Sequence, residues 1–156
     1  MKNKILLKNE IVEKCKLWKN LSKKIVFTNG CFDLLHRGHL DLLAEASKFG
    51  DILVVGLNSD QSVKKLKGNS RPIEPQEVRK ENLLKIKFIS DVIIFEDETP
   101  LSLIKIIEPD FLVKGGDYKP NNIVGAEEII RWGGLVKIIK LTPGYSTTDS
   151  VKKNKL

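Results

Sequence analysis

Cysteine, histidine and aromatic residues are scarce in this 156-residue sequence, which has two Cys, two His and 6% Phe, Trp and Tyr. Two cysteines supply no disulfide framework of the kind small secreted domains rely on, so an apolar core must hold the chain together. Apolar runs are five residues or fewer, too short for a membrane span, and Met1-Lys2-Asn3-Lys4 is not followed by a signal-peptide core. A cytoplasmic protein without a membrane partner is therefore expected. Lysine is plentiful and the net charge is +7, but the lysines are scattered and few aromatics stand among them. An RNA-stacking surface needs that interleaving, so no nucleic-acid partner is expected and most of the charge reads as a solvated face.

What is present is a strict alternation of short apolar runs with helical stripes. Ile11, Cys15 and Trp18, with Val12 and Leu21 alongside, share one helical face, so a leading helix near 9–21 within residues 1–22 is expected to pack on a single domain over 23–156. Residues 24–28, 52–57, 91–95, 110–113 and 135–140 are short and β-branched enough to be buried strands. Helical spacing follows from His39 to a cap at Gly50, then through Val63 and Leu66, over 76–89, over 101–108 behind a Thr99 cap and Pro100, and over 124–132. A short terminal helix is expected after Ser146. Strand, helix, strand at this spacing is a right-handed βαβ unit. The fold class is α/β, a Rossmann-like open parallel sheet of five strands with helices on both faces.

The densest chemistry is Thr28-Asn29-Gly30-Cys31-Phe32-Asp33-Leu34-Leu35-His36-Arg37-Gly38-His39, at the junction between the first strand and its helix. In an open α/β sheet ligands bind at the carboxyl ends of strands, and a helix N-terminus there offers unpaired N–H groups suited to phosphate. His36 and His39 fall on one side of the helix start, able to reach one bound phosphate, and Gly38 puts no side chain in the way. Other readings of the same residues are a packed histidine beside a helix cap, or Cys31, His36 and His39 as zinc ligands. Lys114 ends the fourth strand and is followed by Gly115-Gly116-Asp117-Tyr118, a better ligand site than any lysine in the surface clusters. Lys64, Lys65 and Lys67 precede a Gly- and Pro-containing loop through Arg71-Pro72. Arg79 lies in the next helix, paired with a carboxylate on a solvated face unless it has a ligand. Ser146-Thr147-Thr148 places three hydroxyls before the terminal helix.

Together, Gly30-Cys31-Phe32-Asp33, His36-Arg37-Gly38-His39, Asn58-Ser59-Asp60, the Arg71-Pro72 loop, Arg79, Lys114-Gly115-Gly116-Asp117-Tyr118 and Ser146-Thr147-Thr148 resemble the cytidylyltransferase-like nucleotidyltransferases of the His-x-Gly-His type. Within that superfamily the last two segments look like the adenylyltransferase half of bifunctional heptose-phosphate kinase/adenylyltransferase proteins. The resemblance implies transfer of AMP from ATP to a sugar 1-phosphate, with Mg²⁺ carried on the triphosphate and no dedicated metal ligands. It implies that Thr28, Asn29, Gly30, Cys31, Phe32, Asp33 and Gly38 line the nucleotide site. His36 and His39 would face the triphosphate, and Lys65 or Lys67, Arg79, Ser146, Thr147 and Thr148 would bind phosphate oxygens. Lys114, Gly115, Gly116 and Asp117 would stand between nucleotide and acceptor. A homodimer, and a separate sugar kinase and phosphatase in the same pathway, are expected on the same ground. A CTP-dependent enzyme acting on a phospho-alcohol and a non-catalytic basic nucleic-acid-binding module are the competing readings.

Overall fold

The structure is a computed structural model and describes residues 4–116, 119 and 122–140. In chain order it contains α1 Lys4–Asn20, β1 Ile25–Gly30, α2 Arg37–Ser47, β2 Ile52–Asn58, α3 Asp60–Lys67, α4 Gln76–Leu84, β3 Asp91–Phe95, α5 Leu101–Ile107, β4 Phe111–Gly115, α6 Ala126–Arg131 and β5 Leu135–Ile139. The five strands form one sheet in the order β3-β2-β1-β4-β5, every pair parallel. The chain moves outward from β1 in one direction through β3, then returns to the other side of β1 for β4. That reversal makes the β1–β4 seam the topological switch point, where an open α/β sheet opens a crevice beyond its strand ends.

Each strand sends alternate side chains to opposite faces, and both faces are covered. Ile25 and Phe27 join Leu112 and residues of α1, α5 and α6 in one core layer. Val26 joins Leu53, Val55 and Val113 with Leu43 and Ala46 of α2 and Leu83 of α4 in the other. This burial on both sides explains why β1 and β2 read as near-continuous apolar runs instead of alternating ones. The first N–H groups of the β1 region are held by carboxylates that introduce its neighbours: Lys24 N–H donates to Asp51 Oδ2 and Ile25 N–H to Asp110 Oδ2, both at 2.8 Å. Among the described residues, no helix is long and apolar enough to cross a membrane.

Several boundaries differ from those the sequence suggests. Helix α1 begins at Lys4, ahead of the apolar stripe, and buries Ile11 and Cys15. Helix α4 stops at Leu84, not Ile89. Leu83, Ile86 and Ile89 lie three apart, and single turns with Ile86 N–H on Leu83 O and Ile89 N–H on Ile86 O continue the apolar spacing after the helix has ended. Gly50 is not a cap, since α2 closes on Lys48. A Cβ on Gly50 would stand 2.7 Å from the Lys24 carbonyl oxygen, so close strand contact fixes the glycine there. Pro100, not Thr99, occupies the N-cap position of α5, and α6 starts at Ala126, after Gly125 at φ 91°. The expected terminal helix lies outside the described residues.

Candidate active site

Pairing between β1 and β4 is confined to Val26 with Phe111 and Phe27 with Leu112. Yet β1 stays paired to β2 as far as Gly30, and β4 to β5 as far as Gly115. The two central strands therefore part over their last residues, with Thr28, Asn29 and Gly30 on one lip and Val113, Lys114 and Gly115 on the other. Thr28 is fully buried where they part, and its hydroxyl has no hydrogen-bond partner. Buried polar atoms are nearly always partnered, so an orphan hydroxyl at a switch point marks a place where a ligand or water is received.

After β1 the chain turns sharply. Phe32 (φ 46°) and Leu34 (φ 58°) are non-glycine residues in the left-handed region, a conformation that surrounding structure must impose. Gly30 permits the turn, because the Phe32 ring folds back so far that a Cβ on Gly30 would meet it at 3.0 Å. The same ring meets His39 edge-on at 5.4 Å. The two histidines build the helix start: His39 N–H donates to His36 Nδ1 and His36 N–H donates to His39 Nδ1, each at 3.3 Å, a reciprocal capping box. The rings stack with centroids 3.7 Å apart. Because each Nδ1 accepts, each neutral ring carries its proton on Nε2 and can donate from there. Burial, reinforced by the charges of His36 and Lys67, pushes His39 down to about 4. At neutral pH it is thus an uncharged N–H donor. Packed histidine and helix cap, set out above as an alternative to a ligand site, describe the same arrangement: the capping is what aims the Nε2 atoms.

Two residues expected at the nucleotide turn out to be occupied by the protein itself. Asp33 is fully buried, and its carboxylate accepts Arg71 Nε at 3.1 Å, Ile73 N–H at 2.7 Å and Glu74 N–H at 2.9 Å. Arg79 is not on a solvated face: it is 0% exposed, the largest fully buried side chain. It donates from Nε to Glu74 O, from Nη1 to Cys31 O and Asn58 O, and from Nη2 to Asp60 Oδ1, at 2.8–2.9 Å. Four of its five N–H groups are committed, so its guanidinium ties together the turn after β1, the end of β2 and the start of α4. Glu74 Oε1 also accepts Leu34 N–H at 3.0 Å, fixing the strained turn from below. Asp33 and Arg79 thus spend their hydrogen bonds on the turn after β1 and the segment before α4.

The remaining candidates converge. Burial raises the Cys31 thiol, while Lys67, Arg79 and Arg71 pull it back and Asp33 pushes the same way as burial. Lys67 acts on both Cys31 and His39, whereas Lys65 figures in neither environment. Of the lysines at the end of α3, Lys67 is therefore the one whose charge is felt at the turn after β1. Burial lowers Lys114, opposed by its neighbour Cys31, so β4 brings its lysine up to the turn after β1. Gly116 (φ 122°) then turns the chain away, its N–H donating to Ile139 O at 3.0 Å. Behind Gly38 a cavity of about 270 Å³ runs between α2 and the end of β5. Its carboxylates, Asp41 and Glu45, pair with Arg37 and Lys48. Among the described residues no group of three or more His, Cys, Asp or Glu is placed to hold a metal ion. Asp117, Ser146, Thr147 and Thr148 lie outside the described residues.

Residues 27–153 match the cytidylyltransferase-like family. The chain belongs to that family. Among curated relatives, the bifunctional protein HldE of Koribacter versatilis is 50% identical over 150 residues, which cover 96% of this chain and 31% of that protein. The HldE of Haemophilus ducreyi is 53% identical over 135 residues, covering 86% and 28%. The chain thus spans about a third of the length of these relatives. A solved structure, the lipopolysaccharide core biosynthesis protein of Thermoplasma volcanium, superposes with a TM-score of 0.63 at 28% identity, covering 77% of this chain and 97% of that one. As a cytidylyltransferase-like protein the chain is a nucleotidyltransferase, with a nucleoside triphosphate as substrate. One residue that sequence reasoning left without a role, Arg71, is buried beside this site, and only its place in the Arg71-Pro72 loop could have drawn attention to it.

Proposed function

We propose that the chain transfers AMP from ATP to a sugar 1-phosphate, heptose 1-phosphate, giving an ADP-sugar and pyrophosphate. The observation that carries this reading is the convergence of two Nε2 donors, Lys67 and Lys114 on the opened end of the β1–β4 seam. An oxygen of the acceptor phosphate attacks the α-phosphorus of ATP in line, the bond to the β-phosphate oxygen breaks, and pyrophosphate leaves with the electron pair. Both reactants are anions, so their approach is strongly opposed unless fixed donors offset the repulsion. No nucleophilic side chain is needed.

His39 and His36 donate from Nε2 to the oxygens that gain charge at the α-phosphorus. Lys67 holds the departing pyrophosphate, and Lys114 stands between the two substrates. A half-desolvated lysine suits that position, because its charge is screened less there than in open water. Thr28, Asn29, Gly30, Cys31 and Gly38 form the floor, with backbone close to the ligand. Mg²⁺ would be carried on the triphosphate and screen its charge; among the described residues Asp33 and Asp60 are engaged by arginines. The test is incubation with ATP or CTP and a panel of sugar phosphates and glycerol phosphate, with mass detection of the product. An ADP-heptose is expected; a CDP-alcohol, or no nucleotidyl product from any acceptor, would overturn the assignment.

A further inference from the structure

We propose that Arg71 is a phosphate-binding residue of this site, donating from Nη2 to an oxygen of one of the two substrates. The inference rests on the adenylyltransferase reading for the identity of the substrates, but not for the chemistry of the contact. Two arginines are buried beside the turn after β1, and they are used differently. Arg79 spends its guanidinium on four protein acceptors. Arg71 is 9% exposed, and its Nε donates to Asp33 Oδ2, yet its buried Nη2 has no hydrogen-bond partner. A buried guanidinium nitrogen left without an acceptor is costly, and folding would remove it unless an acceptor arrives by another route.

The surroundings say what kind of acceptor that is. Arg71 is held at the turn after β1 by its Nε bond to Asp33, two residues beyond Cys31, and its charge acts on the Cys31 thiol together with those of Lys67 and Arg79. Asp33 cannot neutralise the whole arginine for solvent, because the same carboxylate also takes the N–H groups of Ile73 and Glu74. What Asp33 does is fix Nε, and with it the plane of the fork. The second orphan of the region, the Thr28 hydroxyl, lies at the end of the strand that leads into Asp33. A planar donor held by one edge with its other nitrogen unpartnered suits a tetrahedral oxyanion, which ATP and the acceptor both carry.

The test uses the full chain. Arg71→Lys keeps a positive charge beside Asp33, whose two backbone donors remain, but removes the second nitrogen of the fork. Calorimetric titration with Mg-ATP and with heptose 1-phosphate is expected to show one of them weakened about ten- to hundredfold, the range for losing a hydrogen bond to a charged group. The other should stay within about twofold, and the affected ligand names the source of the phosphate. In wild-type protein labelled with ¹⁵N-arginine, the Arg71 guanidinium resonance is expected to shift on adding that same ligand, which answers the question even if the variant does not fold. A ligand that binds wild type yet moves no Arg71 resonance overturns the proposal, as does a folded Arg71→Lys that binds both ligands normally. If neither substrate binds wild type, the adenylyltransferase reading fails by itself. Inorganic phosphate at tens of millimolar then decides for Arg71, a shift supporting the contact and a silent resonance refuting it.

Discussion

Arg79→Lys separates a structural arginine from a phosphate ligand by the kind of damage it does. In the native chain three backbone carbonyls, of Cys31, Asn58 and Glu74, depend on this guanidinium, together with Asp60 Oδ1. Lysine has one nitrogen on a longer, rotatable stem and can satisfy one of the four, or two with strain. The Asp60 side chain is 38% exposed and recovers water, so its loss counts for little. Two carbonyls are then left without a donor in the interior, at about 1–3 kcal/mol each. A total of about 2–6 kcal/mol follows, which brackets the usual cost of breaking a buried charged network. For a chain of this length that is on the order of 10 °C in Tm. Thermal melts and urea titrations on wild type and variant measure it directly. The reasoning is refuted if Arg79→Lys melts within about 3 °C of wild type and instead loses affinity for ATP, because that is how an arginine bound to phosphate behaves.

His39→Ala should lower kcat by about 10²–10³, the usual effect of removing one positioned donor, while pyrophosphate release at wild-type rate from a folded variant would remove His39 from the mechanism. Because His39 sits near 4 in the fold against 6.5 when unfolded, the unfolded chain takes up its proton first, and stability falls as pH drops from 6.5 toward 4. The Tm of wild type should therefore decline more steeply over that window than the Tm of His39→Gln; parallel curves would contradict the buried, neutral imidazole. Gly30→Ala should disturb Phe32, which touches His39, and so depress kcat more than Tm; Gly56→Ala, whose Cβ would stand 2.7 Å from the buried Phe27 ring, should instead cost about 1–3 kcal/mol of stability with the chemistry spared, and a reversed pattern would sink both readings. Lys67→Ala should raise the KM for ATP about tenfold or more, as expected for a charge-assisted contact, with Lys65→Ala nearly silent; equal effects would mean that the end of α3 acts only as a diffuse positive patch.

The order of strands and helices was legible because apolar runs and stripes are local patterns. So was the gathering of His36, His39 and Lys114 at one seam, since strand ends in a parallel sheet all point the same way. The division of labour among buried charges was not. Asp33 and Arg79 belong to the segments on which the family resemblance rests, and nothing in their immediate sequence marks them as engaged by the protein itself. Their partners are distant: Asp33 meets Arg71 38 residues away, and Arg79 meets Cys31 48 residues away. Pairing over such separations is decided by how the turn after β1 packs on the 71–79 segment, which only the folded chain supplies. Lys65 and Lys67 could not be told apart for the same reason: both lie in one charged turn, and only the fold shows that the charge of Lys67 is felt at Cys31 and His39.

On the proposed reading the site must attract two anions while remaining stable without them, and the arrangement of its charges suits that. Four free cations crowded round Cys31 and His39 would repel one another at close range in a partly dry environment. Each is handled separately. Arg79 is neutralised by Asp60 and three carbonyl dipoles, and Arg71 by Asp33 on one edge only. His39 carries no charge at neutral pH, and burial lowers the pKa of Lys114. The empty crevice is therefore less positive than its residue list suggests. On the proposed reading, the donors left for a substrate are the Nε2 of the neutral His39, the second guanidinium nitrogen of Arg71 and the Thr28 hydroxyl.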